Sequence, residues 1–83
     1  MNTLAVEMHP QAQNISCDEA TIKVELVDGR TVTAPLIWFP RLAKATQKQL
    51  SNWQLLGDGE GIHWPDVDED LSVQGLLLGS HKI

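Results

Sequence analysis

Alternation of apolar and polar positions dominates the first third of the chain. Leu4, Val6 and Met8 fall on every second residue and predict a strand over Met1 to Met8, which Pro10 interrupts because proline cannot donate to a ladder. Gln13 to Cys17 reads either as a second short strand or as a bent extension of the first. Asp18-Glu19 marks a turn. Beyond it Thr21 to Leu26 alternates without a break, placing Ile22, Val24 and Leu26 on one face and Lys23 and Glu25 on the other. Asp28-Gly29 separates this run from Arg30-Thr31-Val32-Thr33-Ala34. Two β-rich runs about Asp-Gly predict a hairpin closed by a type I′ turn, whose two central positions need positive φ.

The period then changes. Pro35 ends the strand, Leu36 to Phe39 form an apolar connector, and Pro40 stands where a helix begins, its fixed φ suiting the first turn. A helix is predicted from Pro40 to Ala45. Thr46 to Asn52 either extends it or makes a second turn from Gln47, Lys48, Gln49 and Leu50, all good helix formers. Asn52 to Leu56 reads as a strand, Gly57-Asp58-Gly59-Glu60-Gly61 as a mobile acidic loop, and Ile62-His63-Trp64 as the returning strand of a second hairpin. After Pro65, the carboxylates of Asp66, Asp68 and Glu69 offer oxygens to the free amides of a helix start and suit the positive end of its dipole. That last helix carries Leu71, Val73, Leu76, Leu77 and Leu78 on its apolar face, Gly75 inside it and Gly79 as its C-cap.

These elements assemble into one α+β domain over residues 1–83: a small, mostly antiparallel sheet from two hairpins, with two short helices packed on it. The expected core is Ile22, Val24, Leu26, Val32, Leu42, Leu55, Ile62, Trp64, Leu71 and Leu77.

Composition narrows the function classes. A chain of 83 residues buries roughly 60% of the surface its unfolded form exposes, so stability is modest. The net charge of −5 disfavours direct nucleic-acid binding, which calls for a basic face, and suits a basic partner. Cys17 is the lone cysteine, expected half-buried on a strand, with no internal disulfide to make. Residues 1–10 lack the basic and apolar segments of a secretory signal, and no apolar run reaches the roughly 20 residues of a membrane helix. A cytoplasmic setting and no membrane partner are therefore expected.

Candidate chemistry is sparse. Asp66, Asp68 and Asp70 alternate like the start of an EF-hand loop, but Leu71 stands where that loop needs glycine and Leu77 where it needs a bidentate glutamate. Gly57, Gly59 and Gly61 lack the spacing of a phosphate loop, and the acids between them repel phosphate. His9, His63 and His81 lack metal-ligand spacing, so no metal or cofactor is expected. His63 points opposite to Ile62 and Trp64 on a strand and has no nucleophile in a recognisable motif beside it, which argues against an enzyme. Three tryptophans are many for this length. Trp38 and Phe39 beside Arg41 lie in a connector and form the best candidate partner-binding surface, with Lys44 and Lys48 as its rim. The acidic face of Asp58, Glu60, Asp66, Asp68 and Glu69, with His63 nearby, is the second candidate.

Trp38-Phe39-Pro40-Arg41-Leu42, Asn52-Trp53-Gln54-Leu55, Gly59-Glu60-Gly61-Ile62-His63-Trp64-Pro65, Asp68-Glu69-Asp70-Leu71 and Gly75-Leu76-Leu77 together resemble the bacterial domain-of-unknown-function 2442 family. The resemblance implies a small α+β fold with helices on one face of a sheet. Some members of that family carry a C-terminal helix-turn-helix domain. This chain ends at Ile83 without one, so direct DNA reading is not expected. Short members resemble the second gene of a toxin–antitoxin pair, beside a small protein of the unknown-function 4160 family. The resemblance carries over no catalytic or ligand residues.

The expected function is thus a non-catalytic protein-interaction module, the antitoxin-like partner of a small toxin-like or basic protein. The alternative is an acidic regulator or nucleic-acid mimic docking on a larger bacterial nucleic-acid-binding complex. An exposed strand over Met1 to Met8 would also allow a homodimer.

Overall fold

Thr21 to Leu26 forms a strand, as its alternation requires, and its apolar face is buried: Ile22, Val24 and Leu26 are sealed from solvent. Each such side chain contributes about 1.5–3 kcal/mol by leaving water. In this computed structural model, which describes residues 10–79, the strand is β2 of an antiparallel sheet in the order β1-β2-β3, with β1 at Ala12–Cys17 and β3 at Thr31–Pro35. The strand expected over Met1 to Met8 lies outside the described residues. Gln13 to Cys17 belongs to β1, which carries a bulge between Ala12 and Asn14.

The β2–β3 hairpin forms where expected, but its turn differs from type I′. Only Gly29 has positive φ, at 99°; Asp28 does not. The Gly29 amide donates to Leu26 O at 3.0 Å and the Leu26 amide to Arg30 O at 2.8 Å, so the loop has three residues, Val27 to Gly29. Asp28 holds this form: its carboxylate accepts from the Arg30 amide at 3.0 Å and from Arg30 Nε at 2.8 Å.

Between the two hairpins the chain turns in short helical steps. Leu36–Trp38 is a 3₁₀ turn, α1 spans Pro40–Ala43 and α2 spans Gln47–Leu50. Thr46 makes the break. It is the N-cap of α2 in a reciprocal capping box: its hydroxyl accepts from the Gln49 amide while Gln49 Oε1 accepts from the Thr46 amide. The segment from 46 onward is therefore a second helix and not an extension of the first.

The remaining strands form a separate sheet in the order β4-β5-β6, with β4 at Gln54–Leu56, β5 at Gly61–Trp64 and β6 at Glu69–Ser72. Two three-stranded antiparallel sheets with short helices make an α+β fold; the single sheet expected from two hairpins is divided because the helical segment separates β3 from β4.

β6 overturns one sequence expectation. Asp66 to Glu69 does not start a helix. Asp66 to Asp68 make a turn, with Asp68 in the left-handed region at φ 54°, and Glu69 to Ser72 pair with β5. The last helix, α3, begins later, at Val73–Leu78, capped by the Ser72 hydroxyl, which accepts from the Gly75 amide at 3.1 Å. Gly79 closes it in the left-handed conformation, as expected.

Both sheets and the helices contribute to one buried cluster. Leu42, Ile62, Trp64 and Leu71 take their expected places in it, and Phe39, Leu50, Val73 and Leu76 join them. Leu55 and Leu77 are exposed, contrary to expectation, and Val32 is half-buried. Leu77 lies one helical step beyond the buried Leu76, and Leu55 sits on a strand at the sheet edge. Trp64 is fully buried, and its indole Nε1 donates to Leu50 O at 3.0 Å, which joins β5 to the end of α2.

Candidate functional site

The connector 36–41 has two pinned residues and two projecting ones. Leu36 and Phe39 are core, Phe39 with only 2% of its surface exposed. Its side chain is therefore not part of a contact surface, a correction to the expectation that Phe39 would meet a partner. The intervening Ile37 and Trp38 are 79% and 40% exposed. Trp38 meets the Phe39 ring edge-on, with centroids 6.3 Å apart and planes at 74°. The turn is fixed by the Leu36 amide donating to Ala20 O and the Phe39 amide to Leu36 O, each at 2.8 Å. Trp38 is thus carried on a well-held backbone.

Arg41 is engaged within the chain. Its Nη1 donates to the carbonyl of Asp68 and lies 3.9 Å from Glu69 Oε1. It thereby supports the β5–β6 turn at the one non-glycine residue with positive φ among those described. Asn52 Nδ2 supports the same turn by donating to Asp66 Oδ2 at 3.1 Å.

The five acids expected to form one face fall into two groups. Asp58 and Glu60 stand before β5; Asp66, Asp68 and Glu69 stand after it. The strand between them spans roughly 10 Å. The acidic loop at 57–61, expected to be free of the rest of the fold, is hydrogen-bonded to it at two points. Gly59 is buried, its carbonyl accepts from the Ala12 amide at 2.7 Å, and the Glu60 carbonyl accepts from the Val73 amide at 3.0 Å. Gly57 and Gly59 have positive φ, which is why glycine stands at both.

His63 sits on the outer face of the second sheet, opposite Asp70 in the β5–β6 register, and its Nδ1 hydrogen-bonds Asp70 Oδ1. Sequence reading placed His63 outward correctly but paired it with the wrong acids. Asp70 becomes legible as its partner only once 69–72 is recognised as a strand. Such a pair orients an imidazole, yet the hydroxyl on the same face, Ser72, is occupied as the cap of α3. Cys17 lies in the other sheet, where burial, reinforced by the charge of Asp18, pushes its thiol up to about 11.

A shallow groove of about 450 Å³ is lined by Leu56, Glu60, Gly61, Asp70, Leu71 and Ser72. Among the described residues no cluster of histidine, cysteine and carboxylate groups has metal-binding geometry, and no helix is long and apolar enough to cross a membrane.

Two small antiparallel sheets joined by a helical connector define a compact class of α+β domain, and comparison places the chain within it. The family model described as "Protein of unknown function (DUF2442)" matches residues 12–82, and the chain belongs to that family. It is similar to the crystal structure of a protein of unknown function from Rhodospirillum rubrum, with 34% identity and a TM-score of 0.78, covering 89% of this chain and 92% of that one. An uncharacterised protein from Chromobacterium violaceum, solved by NMR, has the same fold at 23% identity and a TM-score of 0.75, covering 88% of this chain and 69% of that one. No curated protein matches the chain.

Proposed function

We propose that this chain is a non-catalytic protein-interaction module, the antitoxin-like partner of a small toxin-like protein in the cytoplasm. The observation that carries the reading is the presentation of Ile37 and Trp38. Both are large and apolar, and both project from a turn whose flanking residues Leu36 and Phe39 are locked in the core. Holding an aromatic side chain outside on a rigid backbone has a solvation cost that association recovers, and Trp is the residue most enriched at binding hot spots. The net charge of −5 adds attraction to a basic partner. The mechanism is occlusion: the Trp38 surface covers a basic, nucleic-acid-directed surface of the partner.

The test is a pull-down of the tagged chain from its native cell at low and moderate salt, read by mass spectrometry. One stoichiometric small partner is expected, retained as salt rises, and Trp38→Ala should weaken its capture about tenfold. A spread of basic or nucleic-acid-binding proteins, lost with salt, would instead favour the acidic regulator that docks on a larger nucleic-acid-binding complex. The exposed Asp58 and Glu60 are what would favour that second reading.

A further inference from the structure

Across the outer face of the second sheet, Leu56, Gly61 and Ser72 stand in one row, paired strand to strand. Glycine at the centre leaves a depression: a Cβ at 61 would lie 3.3 Å from Leu56 Cβ and Cδ1. This row lines the groove of about 450 Å³. A narrower cavity of about 160 Å³, lined by Pro10, Glu60, Ser72 and Gln74, shares Glu60 and Ser72 with it. Neither cavity has a lysine or arginine in its lining, while Glu60 belongs to both and Asp70 to the larger. Asp70 already holds His63 through one carboxylate oxygen. Glu60 is exposed and has no ion pair among the described residues. A Cβ at Gly57 would lie 3.9 Å from Glu60 Oε1, which sets that carboxylate beside another residue of the groove.

We infer that these two cavities together receive one arginine side chain of a basic partner protein, followed in that partner by an apolar residue. A guanidinium carries five donors and no acceptor, and the smaller cavity offers acceptors: the Glu60 carboxylate, the side-chain oxygen of Gln74 and the Ser72 hydroxyl. Ser72 accepts from the Gly75 amide and keeps a second lone pair. Glu60 takes the planar fork through both carboxylate oxygens, which a lysine ammonium cannot match. The methylene stem of the arginine lies over the Gly61 depression, and the apolar neighbour covers Leu56, which is 41% exposed. A second copy of this chain cannot supply the side chain without loss. It has two arginines, Arg30 and Arg41. Arg30 is paired with Asp28, and Arg41 holds the Asp68 carbonyl.

The inference rests on the interaction reading above and gives the basic partner a second contact, apart from Trp38. Its test titrates the isotope-labelled full chain with the capped peptide Gly-Leu-Arg-Leu-Gly, followed by amide NMR. The control peptide has citrulline, a neutral isostere, in place of arginine. The arginine peptide should shift the amides of Gly57, Gly61 and Ser72 and the side-chain amide of Gln74. The citrulline peptide should bind at least about tenfold more weakly, and so should the arginine peptide to Glu60→Gln. Asp58→Asn removes the same charge from a residue outside both linings and should bind as the parent does. No shift, shifts elsewhere, equal binding of the two peptides, or an equal loss in Asp58→Asn and Glu60→Gln overturns the inference. Spermidine binding as tightly as the peptide overturns it too, since the occupant is then a free amine. So does concentration-dependent dimerisation that Glu60→Gln abolishes, since the occupant is then a second copy. In the pull-down, Glu60→Gln should lower capture of the partner. Capture at the parental level overturns the arginine site and leaves the interaction reading standing. Absence of any stoichiometric partner from the parent overturns that reading, and this one with it.

Discussion

The amide of Ala12 donates a 2.7 Å hydrogen bond to the carbonyl of Gly59, tying the first residue of β1 to the turn between β4 and β5. The next link in the same region is the amide of Val27, which donates to Gln11 O at 2.9 Å. The start of β1 thus touches the turns of both hairpins, and the two sheets are joined through backbone as well as through the core.

Gly59→Ala should be among the most damaging single-methyl changes in the chain. The added Cβ would lie 2.5 Å from Ala12 O, at a φ of 95° that side chains rarely adopt. A loss of about 3 kcal/mol or more is expected in denaturant unfolding. Gly29→Ala is the control. Its φ of 99° is similarly unfavourable, but nothing lies within 4 Å of the new Cβ. Its cost should be only about 1–2 kcal/mol. Equal losses at the two sites would contradict the docking of the 57–61 turn.

Arg41→Ala should destabilise by about 1 kcal/mol, because it removes the donor that holds the Asp68 carbonyl in place. Asp68→Gly relieves the positive φ at that residue and should lessen the dependence. A double-mutant cycle of the two substitutions is therefore expected to show a coupling of about 0.5 kcal/mol or more. Strict additivity would mean that Arg41 does not stabilise the turn.

Trp64→Phe leaves the Leu50 carbonyl without its indole donor in a buried setting. A loss of about 1–3 kcal/mol is expected from that group alone. The same substitution should remove the most blue-shifted component of the tryptophan emission, since Trp64 is fully buried while Trp38 is exposed. Steady-state fluorescence and urea unfolding check both parts.

One thiol and two carboxylates set opposite limits on the pH range. Burial first, and then the charge of Asp18, raise the Cys17 thiol in the folded chain to about 11 from 9.0. The folded state therefore holds that proton longer than the unfolded state, and its contribution is present below pH 9.0 and is lost as pH rises towards about 11. Cys17→Ser should reduce this alkaline loss, and the native thiol should react with an alkylating reagent far more slowly than the unfolded one at neutral pH. At the acid end, Asp18 is held below the usual range by the Ala20 and then the Thr21 amides, and Asp28 by the Arg30 side chain and then its amide. Their contributions are present above the ordinary carboxylate pKa and are lost as pH falls through the depressed values. Thermal unfolding across pH, with Asp18→Asn as comparison, measures this.

The sequence was informative wherever a local rule had no rival. Thr21 to Leu26 alternates, Asp28-Gly29 can only turn, and Gly79 suits a left-handed C-cap, so β2, its hairpin and the end of α3 were legible from residue types alone. The prominence of Trp38 was legible too, because an aromatic in a connector stands out. The fate of its neighbour was not. Trp38 and Phe39 are both large aromatic residues, and only the direction of the 3₁₀ turn sends one outward and the other into the core.

The tertiary structure decided the rest where two local rules competed. Asp66 to Glu69 satisfies the chemistry of a helix start, while Glu69 to Ser72 offers only a four-residue alternation, too short to outweigh it. Pairing with β5 tips the balance: Leu71 lies opposite Ile62 and Asp70 opposite His63, neither of which a helix from 66 would allow. The same holds for the glycine-rich loop, which looks mobile in isolation and is fixed by an amide from a strand 47 positions earlier in the chain, Ala12 to Gly59. Helix caps and tight turns are interactions within a few residues and can be read along the chain. Strand pairing depends on partners distant in sequence, so the division into two sheets arises only when the chain has folded.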